Sequence, residues 1–191
     1  MDKRDQHTIN TKKYLESLYF ADERPWVVAF SGGKDSTLLL QLVYEMLSDL
    51  KDKAHKNIFV VSTDTCIEPP NISQYLHKTL SIVEEQAKTD LLPLKVIIVQ
   101  PKPEESFWGN LIGKGYPSPT RWFRWCTSHI KIRPSRRIIL EIIHEFGSVI
   151  LLLGTRKSES RERKKRMDKR DYSTRGLNSH ECNQNRTYII I

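Results

Sequence analysis

Cysteine is scarce in this sequence. Its 191 residues hold three, Cys66, Cys126 and Cys182. They are widely spaced and form no CxxC pair, which excludes a disulfide framework and a self-contained zinc-finger pattern. No apolar run approaches the ~20 residues of a membrane span, and Met1-Asp2-Lys3-Arg4-Asp5 lacks the apolar core of a signal peptide. A cytoplasmic protein without a membrane partner is expected. Internal repeats and low-complexity linkers are missing too. Neither common phosphate fingerprint is present: there is no G-x-G-x-x-G, and Gly33-Lys34 is followed by Asp35 where a Walker A loop needs Ser or Thr. With 38% apolar and 28% charged residues, the chain reads as one ordinary globular domain.

What the sequence does have is positive charge. Lys and Arg number 31 against 23 Asp and Glu, a net of +8. The surplus is concentrated. Arg121–Arg137 holds six basic residues and no acid, while 156–170 holds nine against Glu159, Glu162 and Asp168. The two stretches carry +12, so the rest of the chain carries 8 − 12 = −4. A mildly acidic body with two basic stretches points to a polyanion without naming one. Trp122 and Trp125 interleave with Arg121 and Arg124, which fits either a single-strand stacking site or two core tryptophans. The run Arg161, Arg163, Lys164 and Lys165 fits either a DNA-contacting face or a solvated helix face.

Apolar periodicity orders the elements. Thr8–Phe20 reads as a polar, modestly amphipathic helix. Trp26–Phe30, Ile58–Ser62, Val96–Gln100 and Val149–Leu153 read as short strands, the first a continuous apolar run buried on both faces. Helices are expected from Ser36 to about Leu50, from Pro69-Pro70 to about Lys88, and from Arg133-Pro134 to Phe146 with Gly147 as its C-terminal cap. Residues 101–120 are loop-rich, with a short helix around Phe107–Leu111. Ser158–Asp171 reads as a charged helix, Asp171–Arg186 as polar and mobile, and Tyr188–Ile191 as the start of a strand. Alternating strands and helices imply an α/β domain, three layers with a mostly parallel twisted sheet and helices on both faces. Right-handed crossovers gather the loops after the strands at the carboxyl edge of that sheet.

One such loop is Ser31-Gly32-Gly33-Lys34-Asp35-Ser36, between a buried strand and a helix. Its glycines permit a tight turn, and the helix start offers unpaired N–H groups to an anion. The Ser31 and Ser36 hydroxyls can add donors and Lys34 a charge. The loop resembles the SGGxDS signature of the PP-loop ATP pyrophosphatases, the adenine nucleotide α-hydrolase superfamily, which cut ATP to AMP and pyrophosphate. Thr63-Asp64-Thr65 resembles the acidic turn of its phosphoadenylylsulfate-reductase branch. The stretch from Phe107 to Pro117, Phe123-Arg124-Trp125-Cys126-Thr127, and Gly154-Thr155-Arg156-Lys157-Ser158-Glu159-Ser160 are similar to the DndC group, the sulfurtransferase-like component of DNA phosphorothioation systems. The likeness covers roughly residues 26–177.

The resemblance implies roles. Ser31, Gly32, Gly33, Lys34, Asp35 and Ser36 would hold ATP phosphates. Thr63, Asp64, Gly154 and Arg156 would complete the nucleotide site, with Arg156 at the α-phosphate and catalytic with Lys34, Asp35 and Cys126. Asp64 either faces the nucleotide or a Mg²⁺ ion, or caps its loop. Cys126 either ligates a 4Fe-4S cluster, carries sulfur, or is a structural thiol. A cluster wants more cysteines than this chain has, and Ile191 ends the sequence inside an apolar run. Residues 1–24 are therefore expected to form an N-terminal helix, and 25–191 a nucleotide domain truncated at its C-terminus. The implied activity is ATP pyrophosphatase, activating the DNA backbone for sulfur insertion. DNA, a cysteine desulfurase and other phosphorothioation subunits would be the partners. Two alternatives stay open: a non-catalytic DNA-binding scaffold, and a reductase acting through His180-Glu181-Cys182, where Asn183 replaces the glycine of the reductase E-C-G motif.

Overall fold

The computed structural model describes residues 3–155, 177–182 and 185–190. Its elements follow the order α1 (Lys3–Tyr19), β1 (Trp26–Phe30), α2 (Lys34–Leu50), β2 (Ile58–Thr63), α3 (Pro70–Thr89), β3 (Leu94–Val99), α4 (Arg133–Phe146), β4 (Val149–Leu153), β5 (Leu177–Cys182) and β6 (Asn185–Ile190). The sheet order is β3-β2-β1-β4-β6-β5. All neighbours run parallel except β5, which pairs antiparallel with β6.

The strand sequences explain the layers. In β1, Trp26, Val28 and Phe30 project into a core shared with Leu15, Leu18 and Tyr19 of α1, with Leu40, Val43 and Leu47 of α2, and with Leu76 and Leu80 of α3. Val27, one residue out of phase, joins Phe59, Val61 and Val99 in a second core closed by Ile142 and Ile143 of α4. Side chains alternate across a strand, so an uninterrupted apolar run serves two cores at once. The three-layer α/β architecture read from the sequence is present. The N-terminal helix is part of it: the Tyr19 hydroxyl accepts the Lys56 N–H at 2.7 Å, under the start of β2.

Two stretches differ from the sequence reading. The helix expected to open at Arg133-Pro134 is already under way at Trp125, and runs through a wide π-type turn (Thr127–Ile132) into α4. Proline cannot donate to the preceding turn, and a widened turn absorbs that loss. The stretch expected to be polar and mobile contains β5, and residues 185–186 already belong to β6. Leu177 pairs with Ile190 and Cys182 with Asn185, while β6 itself extends the parallel sheet beside β4. The charged segment expected over 158–171 lies outside the described residues. No helix among the described residues is long and apolar enough to cross a membrane.

The order β3-β2-β1-β4 reverses direction between β1 and β4. In an open parallel sheet that reversal leaves a crevice beyond the carboxyl ends of the strands. The loop after β1 and Gly154, after β4, meet there.

Candidate functional site

A cleft of about 680 Å³ opens at this edge. Its walls come from the end of β1 and its loop (Ser31, Gly32, Ser36), the end of β2 (Thr63, Asp64), α3 (Ile72, Ser73, Tyr75), the helix leading into α4 (Lys131, Ser135) and the end of β4 (Gly154, Thr155).

The Ser31–Ser36 loop is built around Ser36. Its buried hydroxyl donates to the Gly33 carbonyl at 2.9 Å, accepts the Ser31 N–H at 3.2 Å and lies 3.1 Å from the Ser31 hydroxyl. Ser36 thus shapes the loop through contacts with Gly33 and Ser31. Gly32 has φ +71°, a left-handed conformation that costs any residue with a Cβ. Gly33 sits in ordinary extended backbone at the start of α2, which has no side-chain cap. The helix therefore keeps its positive end for whatever enters the cleft. Lys34 is 72% exposed and reaches Asp35 Oδ2 at 3.3 Å. Gly33, Lys34 and Asp35 are not among the cleft walls.

Gly154, expected to permit a ligand's close approach, also has a packing task. It lines the cleft, but a Cβ there would stand 2.5 Å from the Asp35 carbonyl oxygen and 2.9 Å from the Ser36 nitrogen. The close approach it permits is between the end of β4 and the first turn of α2. It locks the Ser31–Ser36 loop onto the sheet.

Asp64 is buried at the end of β2, and both of its oxygens are engaged. The Cys66 N–H donates to Oδ1 at 2.9 Å, while His77 Nε2 and Gln100 Nε2 donate to Oδ2 at 3.0 and 3.1 Å. Burial alone would raise its carboxyl, but these three donors and the His77 charge outweigh burial and hold it below the usual range. An anion ringed by donors fits a loop anchor. The described residues contain no group of three metal-ligating side chains; Glu68 is the other carboxylate lining the same cleft. Cys66 follows at φ +59°. Desolvation and the Asp64 charge push its thiol up, away from the reactive thiolate.

The sequence reading overlooked the wall opposite the phosphate loop. Ser135 and Thr63 hydroxyls are 2.7 Å apart, joining α4 to β2. Lys131 Nζ is 3.5 Å from Glu68 Oε1 across the cleft mouth, and Glu68 also accepts from the Thr65 hydroxyl at 3.3 Å. The only sequence signal for Lys131 was its membership of the basic stretch.

That stretch is less available than its charge implies. Besides Lys131, Arg137 is 2.5 Å and Arg133 3.6 Å from the Glu105 carboxylate. The Arg137 hydrogen bond, opposed by burial and aided by the charges of Arg137, Arg133 and Lys102, lowers the Glu105 carboxyl. Arg121 and Arg124 are exposed. The two tryptophans part company. Trp125 is buried, stacks on Phe107 at 5.4 Å and donates to the Pro117 carbonyl at 2.9 Å; Trp122 is 91% exposed. Cys126 is half-buried at the start of the helix that carries Lys131 and Ser135 to the cleft. Among the described side chains it is a free thiol. Arg156, Arg161, Arg163, Lys164 and Lys165 lie outside the described residues.

Comparison with known proteins agrees with this architecture. Residues 25–175 match the phosphoadenosine phosphosulfate reductase domain. An uncharacterized protein of Methanocaldococcus jannaschii is 31% identical over 177 residues, which cover 92% of this chain and 32% of the relative. A second uncharacterized protein of the same organism is 29% identical over 137 residues, 72% of this chain and 27% of the relative. The chain thus spans about a third of the length of these curated relatives. With the match covering most of its length, the chain belongs to the phosphoadenosine phosphosulfate reductase domain family, a family of nucleotide-using, sulfur-related enzymes.

Proposed function

We propose that the cleft binds ATP and cuts it between the α- and β-phosphates, releasing pyrophosphate. The observation that carries this reading is the uncapped start of α2, set behind the left-handed Gly32 turn at the mouth of a cleft large enough for a nucleotide. Backbone N–H groups of the Ser31–Ser36 loop receive the β- and γ-phosphates. Lys34 leaves Asp35 to add charge. Arg156, two residues beyond Gly154, serves the α-phosphate, where a fork of donors stabilises charge building up during attack. Mg²⁺, when bound with the nucleotide, supplies charge neutralisation between the phosphates.

Cleavage at this bond serves to adenylylate. A nucleic-acid backbone oxygen attacks the α-phosphorus, pyrophosphate leaves, and the oxygen becomes part of a good leaving group, AMP. The terminal sulfur of a persulfide, supplied by a donor such as a cysteine desulfurase, then attacks that backbone phosphorus and expels AMP. A thiol reductant cleaves the resulting S–S bond to leave the phosphorothioate and a disulfide. DNA phosphorothioation is the process this sequence fits through its likeness to the DndC group, with Cys126 the candidate sulfur carrier at the cleft's approach.

Incubation with ATP and Mg²⁺, with and without DNA and partner proteins, followed by chromatography of the products, tests the first step. AMP and pyrophosphate are expected. ADP and phosphate overturn the reading, and sulfite release from phosphoadenylylsulfate replaces it with reduction.

A further inference from the structure

One surface feature is left unused by the cleft. Between Ser106 and Leu140 the chain has no Asp or Glu, and seven Lys and Arg. Lys131, Arg133 and Arg137 face acids contributed by other loops. Arg121 and Arg124 make no ion pair among the described residues. Between them stands Trp122, almost wholly in water, with the Arg121 guanidinium 5.7 Å from its ring. The turn that presents it is held by reciprocal bonds: the Thr120 N–H donates to the Phe123 carbonyl at 3.2 Å, and the Phe123 N–H to the Thr120 hydroxyl at 3.1 Å. Three residues on, Trp125 is fixed in an aromatic cluster with Phe107, Tyr116 and His129.

We propose that the Thr120–Arg124 turn is a stacking platform for an unpaired base of a single-stranded nucleic acid, with Trp122 beneath the base and Arg121 and Arg124 on the flanking phosphates. The chemistry selects this partner. A bare polyanion uses the arginines and leaves the indole in water, and an apolar protein surface uses the indole and strands two cations. A single strand offers both a π-face and phosphates at adjacent positions. Place supports it too. Trp125 stands six residues before Lys131 of the cleft wall, on the same helix, so a strand held at Trp122 lies on the approach to the proposed nucleotide site. The proposal rests on the preceding reading in one respect: the strand bound here is the acceptor for the adenylyl group.

The test is strand binding without nucleotide. Fluorescence anisotropy of the 191-residue protein with a labelled oligothymidylate of roughly 20 nucleotides is compared with its duplex and with an abasic strand of equal length. The oligothymidylate is expected to bind tightest. Trp122→Ala weakens it roughly 5- to 100-fold, the loss of one stacked base, and Trp122→Phe retains most of the affinity. Arg121→Gln and Arg124→Gln each lower the log–log salt slope by about 0.7. Equal binding of the abasic strand, tighter binding of the duplex, or an unchanged Trp122→Ala protein overturns the proposal. A protein that forms AMP from ATP but ignores the strand loses this surface and keeps its activity. One that holds the strand but forms no AMP keeps the surface and loses the proposed reaction.

Discussion

The loop from Ser31 to Ser36 carries a single cation, and that lysine points into water against Asp35. The stretch from Lys114 to Arg137 carries seven, yet Glu68 and Glu105 hold three of them. The cation-poor loop nevertheless leaves more of its positive field free, because that field comes from a helix start left uncapped and from a backbone fixed by Ser36. The cation-rich stretch uses much of its charge to fasten the 101–120 loop and the β2–α3 turn onto the helix that leads to α4. Charge counted along a sequence measures what a segment can pair with; backbone geometry decides what is left for a ligand.

The largest test of this contrast is steric. Gly154→Ala drives a methyl group into the backbone of Asp35 and Ser36, atoms that cannot rotate away. A destabilisation of about 3 kcal/mol is expected, the upper end of overpacking costs, which lowers the thermal midpoint by roughly 10 °C. Nucleotide affinity falls with it, since the displaced turn is the phosphate loop. Gly113→Ala, just before the other region, meets nothing within 4 Å and is expected to change stability by less than about 0.5 kcal/mol. Equal melting of the two variants would mean that β4 does not lock the loop.

Next comes Asp64, whose three donors fix the turn after β2. Asp64→Ala leaves His77, Gln100 and the Cys66 N–H without their acceptor, a cost of about 2 kcal/mol. The sign of its pH dependence is fixed by a folded value below the ordinary 3.8. Such a group stabilises the fold fully above that ordinary value, and its contribution is lost as pH falls through the still lower folded one. Urea unfolding at neutral pH should therefore separate wild type from Asp64→Ala, and the gap should close well below pH 4. A gap that widens in acid contradicts the assignment.

How much of this was legible in the sequence divides along the same line. The strands of both cores were readable because Trp26–Phe30 and Ile58–Ser62 are continuous apolar runs, and the phosphate loop because its glycines sit between such a run and an amphipathic helix. The early start of the α4 helix was hidden because Arg133-Pro134 is an ordinary helix-opening pair, and only the three-dimensional path shows a wide turn before it. β5 was hidden because Asn178-Ser179-His180-Glu181 has no apolar alternation to mark a strand. His77 and Gln100 belong to no motif, and the pairings of Glu68 with Lys131 and Glu105 with Arg137 span 63 and 32 residues. No local pattern encodes a partner at that distance, so the basic stretch looked freer than it is.

Glu105→Gln measures how much freer it can be made. Removing the charge turns a charge-assisted bond to Arg137 into a neutral-acceptor one, for which a loss of about 1 kcal/mol is expected. Because the Glu105 carboxyl is also held low, that loss too fades in acid. In exchange Arg133 and Arg137 become available. If the internal acid is what keeps the stretch from acting as a general polyanion surface, the variant binds oligothymidylate with a salt slope steeper by up to about 0.7 for each arginine that reaches a phosphate. An unchanged slope would place both arginines out of reach of the strand.

The smallest stability effect belongs to Lys131 and Glu68, and it joins the two regions. Both side chains are partly exposed, where an ion pair contributes less than about 1 kcal/mol, so neither Lys131→Met nor Glu68→Gln should shift the melting temperature by more than a few degrees. Their effects on ligand binding should nonetheless be opposite. Lys131 belongs by sequence to the cation-rich stretch and by position to the cleft wall. If it exchanges Glu68 for a nucleotide phosphate, Lys131→Met weakens ATP binding and Glu68→Gln strengthens it, each several-fold and each less at high salt, where exposed charges are screened. Equilibrium binding of ATP at two salt concentrations decides the matter. Parallel losses in both variants would show that the pair only closes the cleft mouth. Opposite shifts would make Lys131 the one member of the basic stretch that serves the phosphate site.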